Sequence, residues 1–408
     1  MIRPILVLRR SRPASMALAL VIALASTTAL AAPAPSAFTA GETLVSPQAD
    51  LIDAEYSQTR ARITWVDQTG HLWIAAIDRA TGQFMPANGK GVLIDADAMT
   101  TDDLQVVGNG PEWLSSATTD QIVYTKFVSG QPHTRANARL AIAAQNANGD
   151  WAWRFLSPYA RNAPYASSDA GDASPRISYV DPFGNHYWRD INNAGSEAIV
   201  SWYPNSFRSM RFVRGARATV FVAPVANISQ VFRYWLDTQV VEQLTFDGGN
   251  KDLNSVPWMW QAPEFANEFV FSTVVDDREL RIYRQVDKSN PAWSVIHTAK
   301  ESSHGVLSSP EPFTHNGRSY VFLSCAVAPN TFQSAIFLGN IDSTAPMFRQ
   351  LTPSGDARAR KDPEVFVTSS GPYIYFNRFD PAVPVPGMPG KSEGVYRANT
   401  GLGSALAP

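Results

Sequence analysis

Apolar and polar positions alternate along most of this chain with a period of two. "EFVFSTVV" (Glu268–Val275), "LRIYRQV" (Leu280–Val286), "SYVFLSC" (Ser319–Cys325) and "SAIFLGNI" (Ser334–Ile341) are short runs rich in Val, Ile, Phe and Tyr. Gly, Asn, Asp and Pro bound them. A pleated strand sends successive side chains to opposite faces, so this pattern predicts short, half-buried strands. Beyond the first thirty or so positions no stretch carries a helical apolar stripe of useful length. The strands come in groups. The stretch around Pro310 resolves into "EPF", "SYVFLSC", "SAIFLGNI" and "FRQLT". The stretch around Pro263 resolves into "PEF", "EFVFSTVV", "LRIYRQV" and "AWSVIH".

The groups repeat. "RITWVDQTGHLWIAAID" (Arg62–Asp78) matches "RISYVDPFGNHYWRDI" (Arg176–Ile191). Pro-Glu opens an apolar run at Pro111, Pro263, Pro310 and Pro363, and "SMRFVRGARATVFVAP" from Ser209 has the same rhythm with Arg211 in place of Glu. The units so counted open at Arg62, Glu112, Arg176, Arg211, Glu264, Glu311 and Glu364. Four-stranded units recurring about every 50 residues are the signature of propeller blades. The expected fold is therefore all-β: a single β-propeller of six or seven four-stranded blades, with five as the lower count. The tail "EGVYRANTG" supplies a third strand for the last blade, and "AGETLVS" (Ala40–Ser46) would supply its fourth and close the ring. Closure removes the free sheet edges that invite aggregation.

The first residues have a separate character. Arg3, Arg9, Arg10 and Arg12 precede the apolar run "ALALVIALASTTAL", and Ala29-Leu30-Ala31 forms a small-x-small cleavage site. This predicts a signal peptide over 1–31 and a propeller domain over 32–408. The expected product is an exported, soluble, monomeric protein of a bacterial periplasm or medium. A single cysteine, Cys325, excludes an intrachain disulfide and reads as a buried strand residue. A net charge of −2 with 17% charged residues and no basic block argues against a nucleic-acid partner.

With the blades in view, two family resemblances stand out. "VVEQLTFDGGN" and "MFRQLTPSGDARARKDPE" resemble the joint between blades of TolB-like propellers, although "HNG", "SSG" or "DPFG" stand where that pattern has "SPDG". "SPEPFTHNGRSYVFLS" and "DPEVFVTSSGPYIYFNR" resemble the blade openings of glycosidase propellers of the GH43 type, which have five blades. Both resemblances run over most of the chain after the signal. The first implies a binding or scaffold propeller of the cell envelope. The second implies Asp362 as base and Glu311 as acid, with "SPEPF" lacking the small residue expected between acid and proline.

The innermost strand of each blade lines the central channel. Proline is tolerated at a strand's first residue, where its missing N–H costs no ladder bond. The predicted result is a ring of charge at the channel mouth: Arg62, Glu112, Arg176, Arg211, Glu264, Glu311 and Glu364. A structural reading makes this a watered channel with paired polar lining. A functional reading rests on the loops. Turns such as "DQTG", "DPFG" and "SSG" are short, while segments 157–174 and 379–393 are long, so one face is expected to be elaborated as a binding surface. Glu264, Glu311, Glu364 and Asp362 would converge there, and two carboxylates in unlike surroundings can divide into acid and base. A separation of about 5 Å would suit a retaining glycosidase and roughly 6.5–9.5 Å an inverting one. Trp258 and Trp260 would flank the mouth as flat faces for a sugar ring. His304 is a candidate ligand contact, and Asp362 with its glutamate neighbours could hold calcium. No His-x-His pair suggests zinc, and no Gly-x-Ser-x-Gly elbow suggests a serine hydrolase. The expected function is binding of a carbohydrate or an envelope protein partner over a charged channel. The alternative is a carbohydrate-active enzyme, hydrolase or lyase, using the channel-mouth carboxylates.

Overall fold

In the computed structural model, the described residues are 38–86, 90–115, 120–167, 175–200, 208–246, 254–300, 305–328 and 331–405. The predicted signal peptide and His304 lie outside them. Residues Thr39–Pro408 form one compact unit.

Seven antiparallel sheets stand in a ring, each with its first strand innermost. Those inner strands are Ile52–Ser57, Glu112–Ser115, Asn162–Ala166, Arg208–Phe212, Asn254–Ala262, Val306–His315 and Ala359–Thr368. They belong to blades 1 to 7 in that order. In blade 1 the outer strand is split into Phe84–Met85 and Val92–Asp95, both paired with Leu72–Ile77. Blade 7 takes three strands from the C-terminal part and its fourth, Thr43–Ser46, from the N-terminal part, paired antiparallel with Lys391–Asn399. The ring is thus a seven-bladed β-propeller closed by its two ends, not the five-bladed ring of the GH43 type.

Packing between blades holds the ring together. Trp260, Val270 and Ile282 of blade 5 meet Leu323 and Phe337 of blade 6. Ile63, Trp65 and Phe84 of blade 1 meet Phe366 and Tyr375 of blade 7. Burying each such side chain contributes about 1.5–3 kcal/mol.

The prolines mark a bulge and not a strand start. In six blades the pairing of first and second strands slips at one place: Ile52/Glu55, Asn162/Tyr165, Arg208/Arg211, Ser255/Trp258, Ser308/Glu311 and Lys361/Glu364. Asp53, Ala163, Val256, Ser309 and Asp362 adopt left-handed backbone at these slips, with φ of 54°, 52°, 43°, 49° and 52°. Pro164, Pro257, Pro310 and Pro363 follow four of them. A bulged residue makes no ladder bond, so proline fits, and the bulge re-aims the next side chain.

Three predicted openings are corrected by this register. Arg62 and Arg176 begin second strands, Arg62–Val66 and Arg176–Val180. Pro263–Phe265 is a single 3-10 turn joining the first and second strands of blade 5. The "DQTG" and "DPFG" turns therefore join second to third strands, on the opposite face from "HNG" and "SSG". The segment 157–174 is likewise not one loop, because the inner strand Asn162–Ala166 lies within it.

Candidate functional site

The residue after each bulge faces the channel. Around the ring these are Glu55, Tyr165, Arg211, Trp258, Glu311 and Glu364, and Glu112 takes the same place in blade 2. With Asp53, Asp362 and Arg214 they line a cavity of about 520 Å³. The wall is segregated. Carboxylates come from blades 6, 7, 1 and 2. The two arginines, Arg211 and Arg214, come from blade 4, flanked by Tyr165 of blade 3 and Trp258 of blade 5.

The carboxylates are half-buried, so channel water reaches them, yet protein surrounds each one. That surrounding raises their affinity for protons. Burial pushes Glu311 up to about 7 against the pull of Arg211 and Arg214. Burial also brings Glu112 to about 7, although Asn109 Nδ2 (2.7 Å) and the Ala166 amide (3.3 Å) donate to it. Asp362 reaches about 7, first through burial and then through Asp53. Glu364 is held well above the usual range by burial and by Glu311 and Glu112. Glu55 is held there by burial and by Glu364, Glu112, Asp53 and Glu311, all of them acids. Asp53 is raised by burial, opposed by the Gly110 amide that donates to it at 2.7 Å. A Cβ on Gly110 would lie 2.6 Å from that carboxylate oxygen, so only glycine allows the contact.

On the facing arc the Arg211 guanidinium sits over the Tyr165 ring at 4.1 Å and near the Trp258 ring at 5.5 Å. Arg214 sits 5.4 Å from Trp258 on the same side and donates to the Pro312 carbonyl at 2.7 Å. Such stacking fixes a guanidinium without neutralising it. The cavity thus offers carboxyl groups able to hold or release a proton near neutrality, and cations across from them.

The predicted residues divide accordingly. Glu112, Arg211, Glu311, Asp362, Glu364 and Trp258 meet in the channel. Arg62 is elsewhere: it hydrogen-bonds Gln145 at 3.3 Å, its guanidinium 5.9 Å from the Trp151 ring, in an outer groove between blades 1 and 2. Arg176 is buried against Phe212 and donates to the Ala216 carbonyl at 3.1 Å. The Glu264 carboxylate accepts from the Ser319 amide and hydroxyl, both at 2.8 Å. Trp260 is 2% exposed in the packing between blades, and its indole donates to Ser319 Oγ at 3.0 Å. Among the described residues no three acidic, histidine or cysteine side chains form a metal-ligand set.

Asp53, Glu55, Tyr165 and Arg214 were not legible as channel residues. Tyr165 had a usable signal: "APY" and "VPW" place a residue after a proline just as "SPE" and "DPE" do. Glu55 had none, because "DAE" lacks the proline.

No protein-family model matches the chain, and no curated protein matches it. Solved structures do. TolB from Acinetobacter baumannii is similar with a TM-score of 0.38 and 14% identity, over 84% of this chain and 79% of that one. Saccharomyces cerevisiae Sqt1 is similar with a TM-score of 0.48 and 8% identity, over 87% of this chain and 84% of that one. A prolyl endopeptidase is similar with a TM-score of 0.51 and 11% identity, over 88% of this chain and 50% of that one. The chain therefore spans half the length of that protein. At such identities the likeness speaks for fold alone. The sheet order is what shows the fold: the chain is a seven-bladed β-propeller.

Proposed function

We propose that this protein is a binding propeller that takes a small ligand, or the tip of a partner, into its central channel. The observation that carries this reading is the convergence of acids, arginines and aromatics from all seven blades on one cavity of about 520 Å³. Cavities of this size suit small ligands held by a few convergent polar groups. The basic and then apolar start of the sequence supports export to a periplasm or medium. An envelope protein or a carbohydrate is the class of partner met there.

A thermal-shift panel of amino acids, short peptides, oligosaccharides and organic acids tests the reading on the purified protein. A ligand that raises Tm in wild type and fails to do so in folded Glu364→Gln supports it. Ligands whose effect survives Glu364→Gln and Glu311→Gln alike would place binding outside the channel and overturn it.

The channel acids held near neutrality favour a second reading, a carbohydrate-active enzyme. A polysaccharide panel, followed by new reducing ends and by unsaturated-product absorbance, addresses it. Turnover lost in Glu311→Gln with the fold intact would replace the binding reading, and the product type would separate hydrolase from lyase.

A further inference from the structure

Arg211 is held by rings and not by a carboxylate. Its guanidinium lies over Tyr165 at 4.1 Å and near Trp258 at 5.5 Å, and among the described residues it makes no ion pair. The side chains of Glu55, Glu311 and Glu364, on the acidic arc, likewise make no ion pair and no hydrogen bond among the described residues. Acidic and basic groups thus face one cavity without closing on each other. Keeping them charged without partners deep in a protein is costly, and a ligand bearing the opposite charges would relieve that cost.

A second observation comes from Trp258. It lines the same cavity, is 8% exposed, and its indole N–H finds no acceptor among the described residues. That N–H has no surface open to the cavity, so what Trp258 offers there is its ring, beside Arg211. Among the described residues no group of three acids is placed to hold a metal ion. Glu55, Glu311 and Glu364 carry oxygens that can each accept from an N–H of an ammonium group.

We propose that the channel binds a zwitterion, an α-amino acid or a short peptide with both ends free. Its ammonium group lies among Glu55, Glu311 and Glu364, and its carboxylate takes the fork of Arg211, which the Tyr165 and Trp258 rings hold in place. The guanidinium fork matches a carboxylate by two parallel hydrogen bonds. The inference rests on the channel being the binding site.

Titration calorimetry of the whole protein with trialanine, N-acetyl-trialanine and trialanine amide tests it. Free trialanine is expected to bind, and each capped form to bind about tenfold more weakly or worse. In Arg211→Gln, trialanine and its amide should bind alike. In Glu55→Gln, trialanine and its N-acetyl form should bind alike. If either variant fails to fold, the capped peptides on wild type decide. Equal binding of free and capped peptides would overturn the proposal, as would no binding of any. If none binds while another ligand of the panel is lost in Glu364→Gln, the zwitterion falls and the channel reading stands. If no ligand depends on any channel residue, both fall.

Discussion

Glu42 Oε2 accepts a hydrogen bond from Arg360 Nε at 2.8 Å, with the two side chains 6% and 1% exposed. The other Glu42 oxygen accepts from Arg378. Glu42 directly precedes Thr43–Ser46, the strand that completes blade 7, while both arginines belong to strands from the far end of the sequence. A buried ion pair thus clasps the point where the two ends of the ring meet. Glu42→Ala removes one charge-assisted hydrogen bond from each arginine and leaves Asp356 on Arg360 and Glu393 on Arg378, so it should lower stability by about 1.5–3 kcal/mol in urea unfolding. The more exposed pair Arg358–Asp380 should contribute about 0–1 kcal/mol in the same measurement. Equal effects would show that the clasp does not hold the ring.

Ser319 ties blade 5 to blade 6. Its amide and hydroxyl serve Glu264, and its hydroxyl also accepts from the Trp260 indole. Ser319→Ala should cost about 1–3 kcal/mol, because it strands the buried Trp260 N–H, and Trp260→Phe about 0.5–1.5 kcal/mol, because the Ser319 hydroxyl keeps its bond to Glu264. The double variant should cost less than the sum, since both act on one hydrogen bond. Glu264 lies outside the channel, so Glu264→Gln should leave ligand binding unchanged. Loss of binding in that variant, with Tm intact, would contradict the position found for it.

The channel acids set a pH dependence. Glu112 and Glu311 lie near 7 in the folded chain against an ordinary 4.5, and Asp362 near 7 against 3.8. Between those values the folded chain binds more protons than the unfolded one. Their stabilising contribution is therefore complete below the ordinary values and is lost as pH rises through about 7. Tm should fall between about pH 4 and pH 7 and level off above that, and the pair Glu311→Gln with Asp362→Asn should flatten that fall. An unchanged slope in the pair would mean that other groups control it.

Blade grammar was legible because it is local. Alternation in Ser319–Cys325 and Glu268–Val275, and the spare strand "AGETLVS", gave the propeller class and its closure. The position of each unit within its blade was not legible. "RITWV" and "SPEPF" read alike as strands, and only pairing shows that Arg62 starts a second strand while Glu311 lies in a first. The error then travelled: placing Arg62, Arg176 and Glu264 at the channel left no room for Glu55, Tyr165 and Trp258 in the ring.

Local sequence specifies the strands, their grouping, and the prolines that only a ladder interruption tolerates. These are properties of a few neighbouring residues: steric limits on φ, the missing N–H of proline, and the two-residue repeat of a pleated strand. Which side chains share the channel depends on how the strands pair in three dimensions. Register and bulge position set that, and a shift of one residue turns a side chain from the channel to the packing between blades. Glu264 and Glu311 both follow proline. One caps a serine in the next blade, and the other faces the acids of blades 7, 1 and 2 across the channel.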